Sequence, residues 1–265
     1  MNYTSKNHTF VICAYKENPH IELCIKSLLG QTIKSIVILS TSTPNKYINM
    51  ICEKYGVPLY VNPIHTCAGD DWNFGYSQAT TELVTIAHQD DYYEPDYLEN
   101  ILKLANKRED TILIFTDYYE LKMGKKVNSN KLLFIKKLIN SPLLIPAFWG
   151  SKFIRRRTLS IGCAICCPSV TYIKSNAGEN FFDNKYINSC DYKTWVNLSN
   201  KKGAFIYTSK QLLGHRIYPE SATSLNITAN IRQKEDFEIL CEFWPKPIAR
   251  LINKLYSTSE NSNKL

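Results

Sequence analysis

The 265-residue sequence contains no run of about 18 unbroken apolar residues, the length that a membrane-spanning helix needs. Its first ten residues, MNYTSKNHTF, lack the long uncharged apolar core of a signal peptide. We therefore expect a cytoplasmic protein. The nine cysteines are an odd number, and without an export signal they indicate reduced thiols and not a disulfide framework.

No pair of cysteines follows the one cluster in the sequence, which comprises Cys163, Cys166 and Cys167. A structural zinc site commonly needs such a second pair, so we interpret these cysteines as buried thiols. Acidic residues are also fewer than basic ones, 24 against 32, which gives a formal charge of +8. This charge favours anionic partners, and nucleotide phosphates, nucleic acid and an acidic membrane face all remain compatible with it.

Strands and helices alternate in the first half of the sequence. Residues 10–14 (FVICA) predict a strand, Asn18-Pro19 the start of a helix and Gly30 its end. The cycle repeats with a strand at residues 35–39, a helix start at Thr43-Pro44 and an end at Gly56. Further strands are predicted at residues 58–61, 83–87 and 111–116, with helices at residues 70–80 and after Glu94-Pro95.

This alternation predicts an α/β fold with a mainly parallel central sheet and helices on both faces. Ligands of such sheets bind beyond the carboxyl ends of the strands. Residues 121–157 have no clear pattern, whereas order returns at residues 165–173, in a helix at 191–198 and in strands at 204–208 and 211–217. We expect one domain over residues 1–224 and a helical tail over residues 225–265, interrupted at Pro245 and Pro247.

Two adjacent carboxylates, Asp90 and Asp91, follow the predicted strand at residues 83–87. Hard divalent cations bind carboxylate oxygen and complete their coordination with substrate phosphates and water. Aspartates also commonly end a strand and cap the following loop. The spacing alone is compatible with both interpretations.

Three segments together resemble the family 2 glycosyltransferases, a large bacterial group with the GT-A fold. They are residues 10–32, Asn73-Phe74-Gly75 and residues 86–98 (IAHQDDYYEPDYL), and the resemblance extends from Phe10 to about Ser224. It implies a Rossmann-like sheet whose first part, residues 1–117, binds a nucleotide sugar and whose second part, residues 118–224, binds the acceptor. It also implies inverting transfer from a UDP- or dTDP-linked sugar to an acceptor hydroxyl in bacterial surface polysaccharide synthesis.

By this resemblance Asp90 takes the final acidic position of the family's Asp-x-Asp signature and holds the Mn²⁺ or Mg²⁺ that bridges the donor phosphates. His88 replaces the first acid of the signature, and Ser40-Thr41-Ser42 stands where the family carries an Asp that contacts the base. His215 is the second expected metal ligand, either in place of the usual His or facing the core. The expected donor-binding residues are Ala14, Tyr15, Glu17, Thr41, Asn73, His88, Gln89, Asp90 and Arg216.

Asp191 begins a predicted helix and matches the position of the family's catalytic base. Without the resemblance, a plain helix cap is the simpler interpretation. Residues 214–221 (GHRIYPES) resemble the loop that closes over the diphosphate, with Arg216 as a phosphate clamp and Tyr218 in the place of a usual His. Residues 161–170 resemble a strand beside the acceptor. The expected acceptor-side residues are Asp91, Cys167, Pro168, Ser169 and Trp195.

The expected partners are a nucleotide diphosphate sugar and a glycan or lipid-linked glycan acceptor, with no nucleic acid. Arg155, Arg156 and Arg157 suggest peripheral contact with an acidic membrane, although surface charge without a partner is commoner. The tail carries a helical stripe of Ile248, Leu251, Ile252 and Leu255. Such a stripe is typical of a helix on a membrane and of one packed on its own domain, and packing is our preferred interpretation.

Two other functions remain open from the sequence. A sugar nucleotidyltransferase also places carboxylates and a metal at the edge of an α/β sheet, but it usually has a glycine-rich loop after its first strand, and residues 14–18 (AYKEN) contain no glycine. A non-catalytic binder of nucleotide sugars or nucleic acid explains the charge of +8. It gives no reason for Asp90 and Asp191 to match the same family together.

Overall fold

The first apolar run forms the strand on which half of the sheet is built. The computed structural model describes residues 2–64, 67–218 and 231–260. In it β1 (His8–Ala14) lies parallel between β2 (Ile36–Thr41) and β4 (Leu83–His88), and β3 (Leu59–Val61) pairs outside β2. Phe10 and Ile12 pack into the core on one side of the sheet and Val11 into the core on the other, so β1 is apolar on both faces.

The other half of the sheet contains the strands that run against this direction. β8 (Val170–Ile173) is antiparallel to both β4 and β6 (Thr111–Lys122), and β6 pairs in parallel with β9 (Ala204–Ile217). The short strands β5 (Tyr92–Tyr93) and β7 (Lys125–Val127) are antiparallel to β9 and β6. Six of the nine strands in the described residues therefore share one direction, and the predicted mainly parallel sheet is confirmed.

Helices cover both faces of the sheet, as the alternation predicted. One core contains side chains of α1 (Ile21–Leu29), α2 (Lys46–Tyr55) and α4 (Tyr97–Ala105). The other contains side chains of α3 (Ala68–Gln78), α6 (Lys152–Leu159), α8 (Cys190–Leu198) and α9 (Ile231–Leu240). The remaining helices are α5 (Lys131–Asn140), α7 (Lys174–Ala177) and α10 (Lys246–Glu260). None of the described helices combines the length and apolarity needed to cross a membrane.

Gly75, in the second segment of the family resemblance, allows α3 to pack closely on the sheet. A Cβ at this position would lie 2.5 Å from the Ser40 hydroxyl and 2.8 Å from a Val11 methyl group. Contacts this short require the backbone or its neighbours to move. The glycine in Asn73-Phe74-Gly75 therefore has a packing role at the centre of the sheet.

Several predicted boundaries differ from the structure. α1 begins at Ile21, because the Asn18 side chain accepts the N–H of His20 at 2.8 Å and forms a turn before the helix. The strands predicted at residues 204–208 and 211–217 form one strand, β9, with a bulge opposite Thr116 and Asp117. Most of the strand expected at residues 161–170 is loop, because Pro168 has no N–H to donate and a 3₁₀ turn (Cys167–Ser169) precedes β8.

The tail packs on the domain, but through a different face of α10 from the one predicted. Tyr256 is buried and its hydroxyl donates to the Cys163 carbonyl at 2.5 Å. Just before α10, the Trp244 indole donates to the Ser160 carbonyl at 2.8 Å. The prediction that the stripe of Ile248, Leu251, Ile252 and Leu255 packs inward is wrong, since three of these four side chains are exposed and Ala249 and Tyr256 are buried instead.

The three consecutive arginines have different environments, and Arg155 is not a surface charge. It is buried, and its guanidinium donates to the carbonyl oxygens of Ser199, Lys201 and Gly203. Arg157 is exposed and lies over the rings of Phe153 and Trp244. Only part of the basic cluster is therefore available to an external partner.

Candidate active site

A cleft of about 860 Å³ opens at the carboxyl ends of the central strands. Most of its lining comes from the loop after β1, the end of β4, the start of α8 and the end of β9, and α3, Cys167 and Arg232 complete it. This placement agrees with the position expected from the strand order. The predicted residues that line the cleft are Tyr15, Glu17, His88, Gln89, Asp90, Cys167, Asp191, His215 and Arg216.

The loop after β1 is fixed by side chains from two neighbouring strand ends. The Gln89 amide accepts the N–H of Tyr15 at 3.2 Å and donates to the Tyr15 carbonyl at 2.9 Å. Lys16 has a positive φ of 56°, and its N–H donates to the Thr43 hydroxyl at 2.5 Å. These contacts hold in place a backbone conformation that non-glycine residues rarely adopt, and they keep Tyr15 and Glu17 at the cleft.

Gln31, at the end of the first resembling segment, holds the loop that follows the two aspartates. Its buried amide donates to the Glu94 carbonyl at 2.8 Å and accepts the N–H of Leu98 at 3.0 Å. The N–H of Thr32 donates to the Pro95 carbonyl at 2.8 Å. The Gln-Thr pair therefore positions the segment after Asp91 and takes no direct part in the cleft lining.

Asp91 is buried beneath the cleft and is already bonded to the protein. It accepts the backbone N–H of Arg216 at 2.9 Å and lies 3.1 Å from Nδ1 of His215. Burial alone would raise its pKa, but His215, His88 and the Arg216 N–H outweigh this effect, so the pKa lies below its ordinary value. Asp91 therefore joins the end of β4 to the end of β9 and is not part of the cleft lining.

Asp90 faces the cleft, and its surroundings differ from those of Asp91. One of its oxygens accepts the Tyr218 hydroxyl at 2.9 Å, and its backbone carbonyl accepts Nε of Arg216 at 2.8 Å. Burial and the neighbouring Asp91 charge raise the pKa of Asp90 above its ordinary value. A bound cation would offset both effects, because it favours the ionised carboxylate.

His88 presents a nitrogen to which no described residue bonds. Its ring stacks on Trp72 with centroids 5.3 Å apart, and its Nδ1 lies 3.9 Å from Asp91. Nε2 is buried and has no hydrogen-bond partner within residues 2–64, 67–218 and 231–260. Since buried polar atoms are nearly always bonded, this nitrogen in the cleft lining indicates a place for a polar ligand atom.

Asp191 lies at the first turn of α8 and opens on the same cleft as Asp90. One of its oxygens accepts the N–H of Tyr192 at 2.7 Å. Burial raises the pKa of Asp191, while the positive charge of Arg232 and the Tyr192 N–H partly oppose that shift. A carboxylate with a raised pKa in a cleft, still accessible to a ligand, is suited to accept a proton.

The comparisons with known proteins agree with this geometry. The profile described as Glycosyl transferase family 2 matches residues 9–181, which include all but the first residue of β1, the strands β2, β3 and β4, and the aspartates Asp90 and Asp91 that follow β4. The chain belongs to glycosyl transferase family 2. An uncharacterized glycosyltransferase of Rickettsia typhi is 24% identical over 247 residues, which cover 91% of this chain and 72% of that protein.

Solved structures confirm the GT-A fold of this glycosyltransferase. The mannosyltransferase PcManGT from Pyrobaculum calidifontis, solved with GDP-Man and Mn²⁺, is 13% identical with a TM-score of 0.68 over 98% of this chain and 74% of its own. TarS of S. aureus is 13% identical with a TM-score of 0.59 over 97% of this chain. This chain spans only 44% of that TarS structure. The matches favour a glycosyltransferase over a nucleotidyltransferase or a non-catalytic binder.

Several residues predicted for the glycosyltransferase site lie outside the cleft lining. Ala14 is buried in β1, and the Thr41 hydroxyl accepts the N–H of Thr43 at 3.1 Å. The Asn73 amide is bonded to the backbone of Phe182 at 2.9 Å and 3.1 Å. On the predicted acceptor side, Pro168 and Ser169 accept the hydroxyls of Tyr93 and Tyr97, and Trp195 is fully buried in the core. These residues lie outside the cleft lining and pack against or hydrogen-bond to other parts of the domain.

Among the cleft residues that were not predicted from the sequence, Trp72 and Arg232 have the largest consequences for the site. Trp72 belongs to a helix whose other cleft-facing residue, Ala68, carries no polar group, so no periodic signal marked it. Arg232 belongs to α9, which was treated as a tail outside the domain. The one feature of the sequence that could have indicated Arg232 is its positive charge shortly after the predicted closing loop. Residues 219–221 of that loop, and the predicted boundary at residues 224 and 225, lie outside the described residues.

The donor set at Asp90 fits only a cation that takes most of its ligands from elsewhere. Within the described part of the chain, no group of three or more His, Cys, Asp or Glu side chains is arranged to hold a metal ion. Asp90 offers a carboxylate at the cleft. Nδ1 of His215 is directed at Asp91, so Nε2 is the His215 nitrogen that remains for a metal ion. Mg²⁺ and Mn²⁺ are commonly bound by one or two carboxylates, substrate phosphates and water, and this chemistry fits the site.

Proposed function

We propose that the protein transfers a sugar from a nucleotide diphosphate sugar to an acceptor hydroxyl, with Asp191 as the catalytic base. The observation that carries the proposal is that Asp90, Arg216 and Asp191, from three separate elements, line one cleft. The family membership supports sugar transfer as the reaction. The position of each side chain in the cleft supports the role that we propose for it. Asp90 and Arg216 form the donor side, and Asp191 forms the acceptor side.

Asp191 removes the proton of the acceptor hydroxyl as that oxygen attacks the anomeric carbon. The ionised form is needed for this step, and Arg232 favours it against the effect of burial. The Tyr192 N–H holds one oxygen at 2.7 Å, so the other oxygen is the one that faces the acceptor. A single displacement assisted by one base gives inversion at the anomeric carbon, which is the outcome we propose.

Arg216 stabilises the departing diphosphate. Its Nε is held on the Asp90 carbonyl at 2.8 Å, which orients the guanidinium at the cleft. Guanidinium groups bind phosphate oxygens through paired N–H donors, and such bonds are stronger than those between neutral groups. Tyr218 follows directly after β9. Its hydroxyl donates to Asp90 at 2.9 Å and accepts the Asn18 amide at 2.9 Å, so it links Asp90 to the loop after β1. These residues bind and orient the leaving group.

Divalent metal dependence is part of the proposal. Asp90 would hold Mn²⁺ or Mg²⁺, with His215 as the second ligand, in agreement with the Mn²⁺ complexes of two structural neighbours. When bound, the ion would supply positive charge that favours release of the diphosphate. The raised pKa of Asp90 is consistent with a carboxylate whose ionised form a bound cation would stabilise.

The donor is proposed to be UDP- or dTDP-linked, and the product a bacterial surface polysaccharide or glycan made in the cytoplasm. TarS and a glucosyl-3-phosphoglycerate synthase from Mycobacterium tuberculosis, both similar in fold, were solved with UDP or UDP-sugars. PcManGT was solved with GDP-Man, so this fold accommodates more than one base. The base is therefore the first variable to test.

Incubation with a panel of nucleotide sugars and Mn²⁺ tests the proposed reaction. We expect release of the nucleoside diphosphate from one donor class, at a rate that increases when the correct acceptor is added. Nucleoside diphosphate detection and pyrophosphate detection should be run on the same samples. Release of pyrophosphate, or release of neither product from any donor, would contradict the proposed function.

A further inference from the structure

Five consecutive apolar residues are exposed between α5 and α6. Residues 144–148 (LIPAF) are all exposed, with Ile145 at 49% and Phe148 at 37%, whereas Leu143 before them and Trp149 after them are buried. Isolated exposed apolar side chains are common on soluble proteins, but a continuous run of them marks a binding surface. Residues 144–148 are therefore a candidate surface for binding a partner.

The exposure of this loop is maintained by hydrogen bonds at both of its ends. The Trp149 indole donates to the Leu143 carbonyl at 2.8 Å, and the Phe148 N–H donates to the Ile145 carbonyl at 2.9 Å. The Trp149 carbonyl also accepts the N–H of Phe205 in β9 at 3.0 Å. Because Leu143 and Trp149 are buried and hydrogen-bonded to each other, the apolar residues between them are held in their exposed positions.

Elements that pack near this loop carry further exposed apolar side chains. On α6, Phe153 is 68% exposed, and on α10, Leu251 and Leu255 are 60% and 66% exposed. The elements are adjacent, since Arg157 of α6 lies over both Phe153 and Trp244, the residue two positions before α10. We use the term apolar surface for residues 144–148, Phe153, Leu251 and Leu255.

The chain around the apolar surface is strongly basic. Between Met123 and Gly178 the sequence contains ten Lys and Arg residues and no Asp or Glu. Of these ten, Arg155 is buried, and Lys126 and Lys137 form ion pairs with Glu94 and Asp117. Lys246, Arg250 and Lys254 add three cations to α10, and the nearest acids in sequence are Glu242 and Glu260. Two copies of this surface would bring like charges together, so the charge opposes self-association through it.

We propose that the apolar surface docks the protein on an anionic lipid bilayer. Residues 144–148 enter the headgroup region, while the cations beside them approach lipid phosphates. Combined apolar and basic surfaces bind membranes in this way, because burial of apolar side chains adds to electrostatic attraction. The proposal is independent of the donor, the acceptor and the role of Asp191.

Vesicle flotation with the full chain tests the docking. Vesicles of phosphatidylcholine with phosphatidylglycerol should bind the protein, and vesicles of phosphatidylcholine alone should bind it much less. Raising the salt from about 0.1 M to about 1 M shortens the Debye length from about 10 Å to about 3 Å, so it should weaken binding. The double variant Ile145→Ser, Phe148→Ser should bind at least about tenfold more weakly.

A matched control replaces two apolar residues elsewhere whose combined exposure is no smaller. Leu23 and Met50, on α1 and α2, are 48% and 56% exposed, and Leu23→Ser with Met50→Ser should bind vesicles like the wild type. All four replaced side chains are at least partly in solvent, so both double variants should keep the wild-type Tm. This comparison separates a specific surface from general loss of apolar area.

Three results would overturn the proposal. They are no flotation with anionic vesicles at low salt, equal flotation of the loop variant and the wild type, and equal flotation with neutral and anionic vesicles. Sedimentation equilibrium should be measured in parallel without lipid. A dimer that the loop variant loses, found together with absent vesicle binding, would assign the surface to a second copy of the chain.

Discussion

Glu235, on α9, accepts a hydrogen bond from the backbone N–H of Ser189 at 2.9 Å, two residues before Asp191. The same carboxylate accepts the N–H groups of Ile187 and Asn188 at 2.8 Å and 2.9 Å, and Asp236 accepts the Ser189 hydroxyl at 2.7 Å. Backbone N–H groups before a helix otherwise need water or a ligand. The tail therefore fixes the segment that carries the proposed base.

Glu235→Gln should lower turnover through misplacement of Asp191. The amide retains the size of the side chain, but it replaces one acceptor oxygen by a donor that faces the backbone N–H groups. A displacement of about 1 Å at a reacting group can reduce the rate by about 100-fold, so we expect a loss of about 10- to 100-fold in kcat. Nucleotide affinity, measured by calorimetry, should remain unchanged.

Glu238→Gln is the matched control for this positioning role, since Glu238 is exposed on the same helix. It should retain wild-type kcat and KM. A parallel loss of UDP affinity and kcat in Glu235→Gln would contradict a role confined to Asp191.

His88→Phe should weaken donor binding without destabilising the fold. Phenylalanine preserves the ring that stacks on Trp72 and removes both nitrogens: Nε2, which has no partner in the described chain, and Nδ1, which lies 3.9 Å from Asp91. One lost hydrogen bond corresponds to a decrease in affinity of about three- to tenfold. Calorimetric titration with the donor nucleotide and a thermal melt check both expectations. Unchanged affinity together with a lower Tm would indicate that His88 is structural.

Removal of the metal should abolish most of the nucleotide affinity of the wild type. The reason is that Asp90 would hold the cation, and the cation would supply the positive charge that attracts the donor phosphates. Titration with UDP in Mn²⁺ and in chelator should show this loss, and Asp90→Ala should have the same low affinity in both. Equal UDP affinity in all four samples would contradict the metal assignment, provided that another nucleotide does not bind instead.

The pH dependence of the reaction should report the raised pKa of Asp191. The base acts in its ionised form, so kcat/KM should increase with pH and level off only above the ordinary Asp value of 3.8. Burial is the cause of the shift, and Arg232 opposes it. Arg232→Gln should therefore move the acidic limb to higher pH. An unchanged profile in Arg232→Gln would show that the arginine does not act on Asp191.

Sequence patterns were sufficient for the parts of the fold that periodicity determines. β1, β2 and β4 are buried on both faces and read as apolar runs, and α2 ends at Gly56 with a left-handed φ of 63°. The irregular segment over residues 121–157 could not be predicted, because its helices pack through few apolar residues. Arg155 illustrates the difficulty, since its burial depends on three carbonyl groups more than 40 residues away.

The site could be predicted where the family motifs place residues at strand or helix ends, as with Asp90, Asp191 and Arg216. The different roles of Asp90 and Asp91 could not be predicted in the same way. Asp91 is adjacent to Asp90, yet its burial depends on the Arg216 N–H, which is 125 residues away in sequence. The contribution of the tail to the cleft was also missed, because contacts between Glu235 and residues 187–189 leave no periodic pattern.

The central claim is that Asp191 is the catalytic base, and Asp191→Asn tests it most directly. Burial raises the pKa of Asp191, so its contribution to stability is full below the unfolded pKa and is lost as the pH rises through the folded pKa. Asparagine does not ionise and retains an oxygen for the Tyr192 N–H. The variant should therefore match or exceed the wild-type Tm at neutral pH.

The deciding measurement is the rate of sugar transfer by Asp191→Asn, once a donor and an acceptor are known. Loss of acid–base assistance should reduce that rate by about 10²- to 10⁴-fold, with metal and nucleotide affinity retained. Near-normal transfer by a folded Asp191→Asn protein would contradict the proposed mechanism.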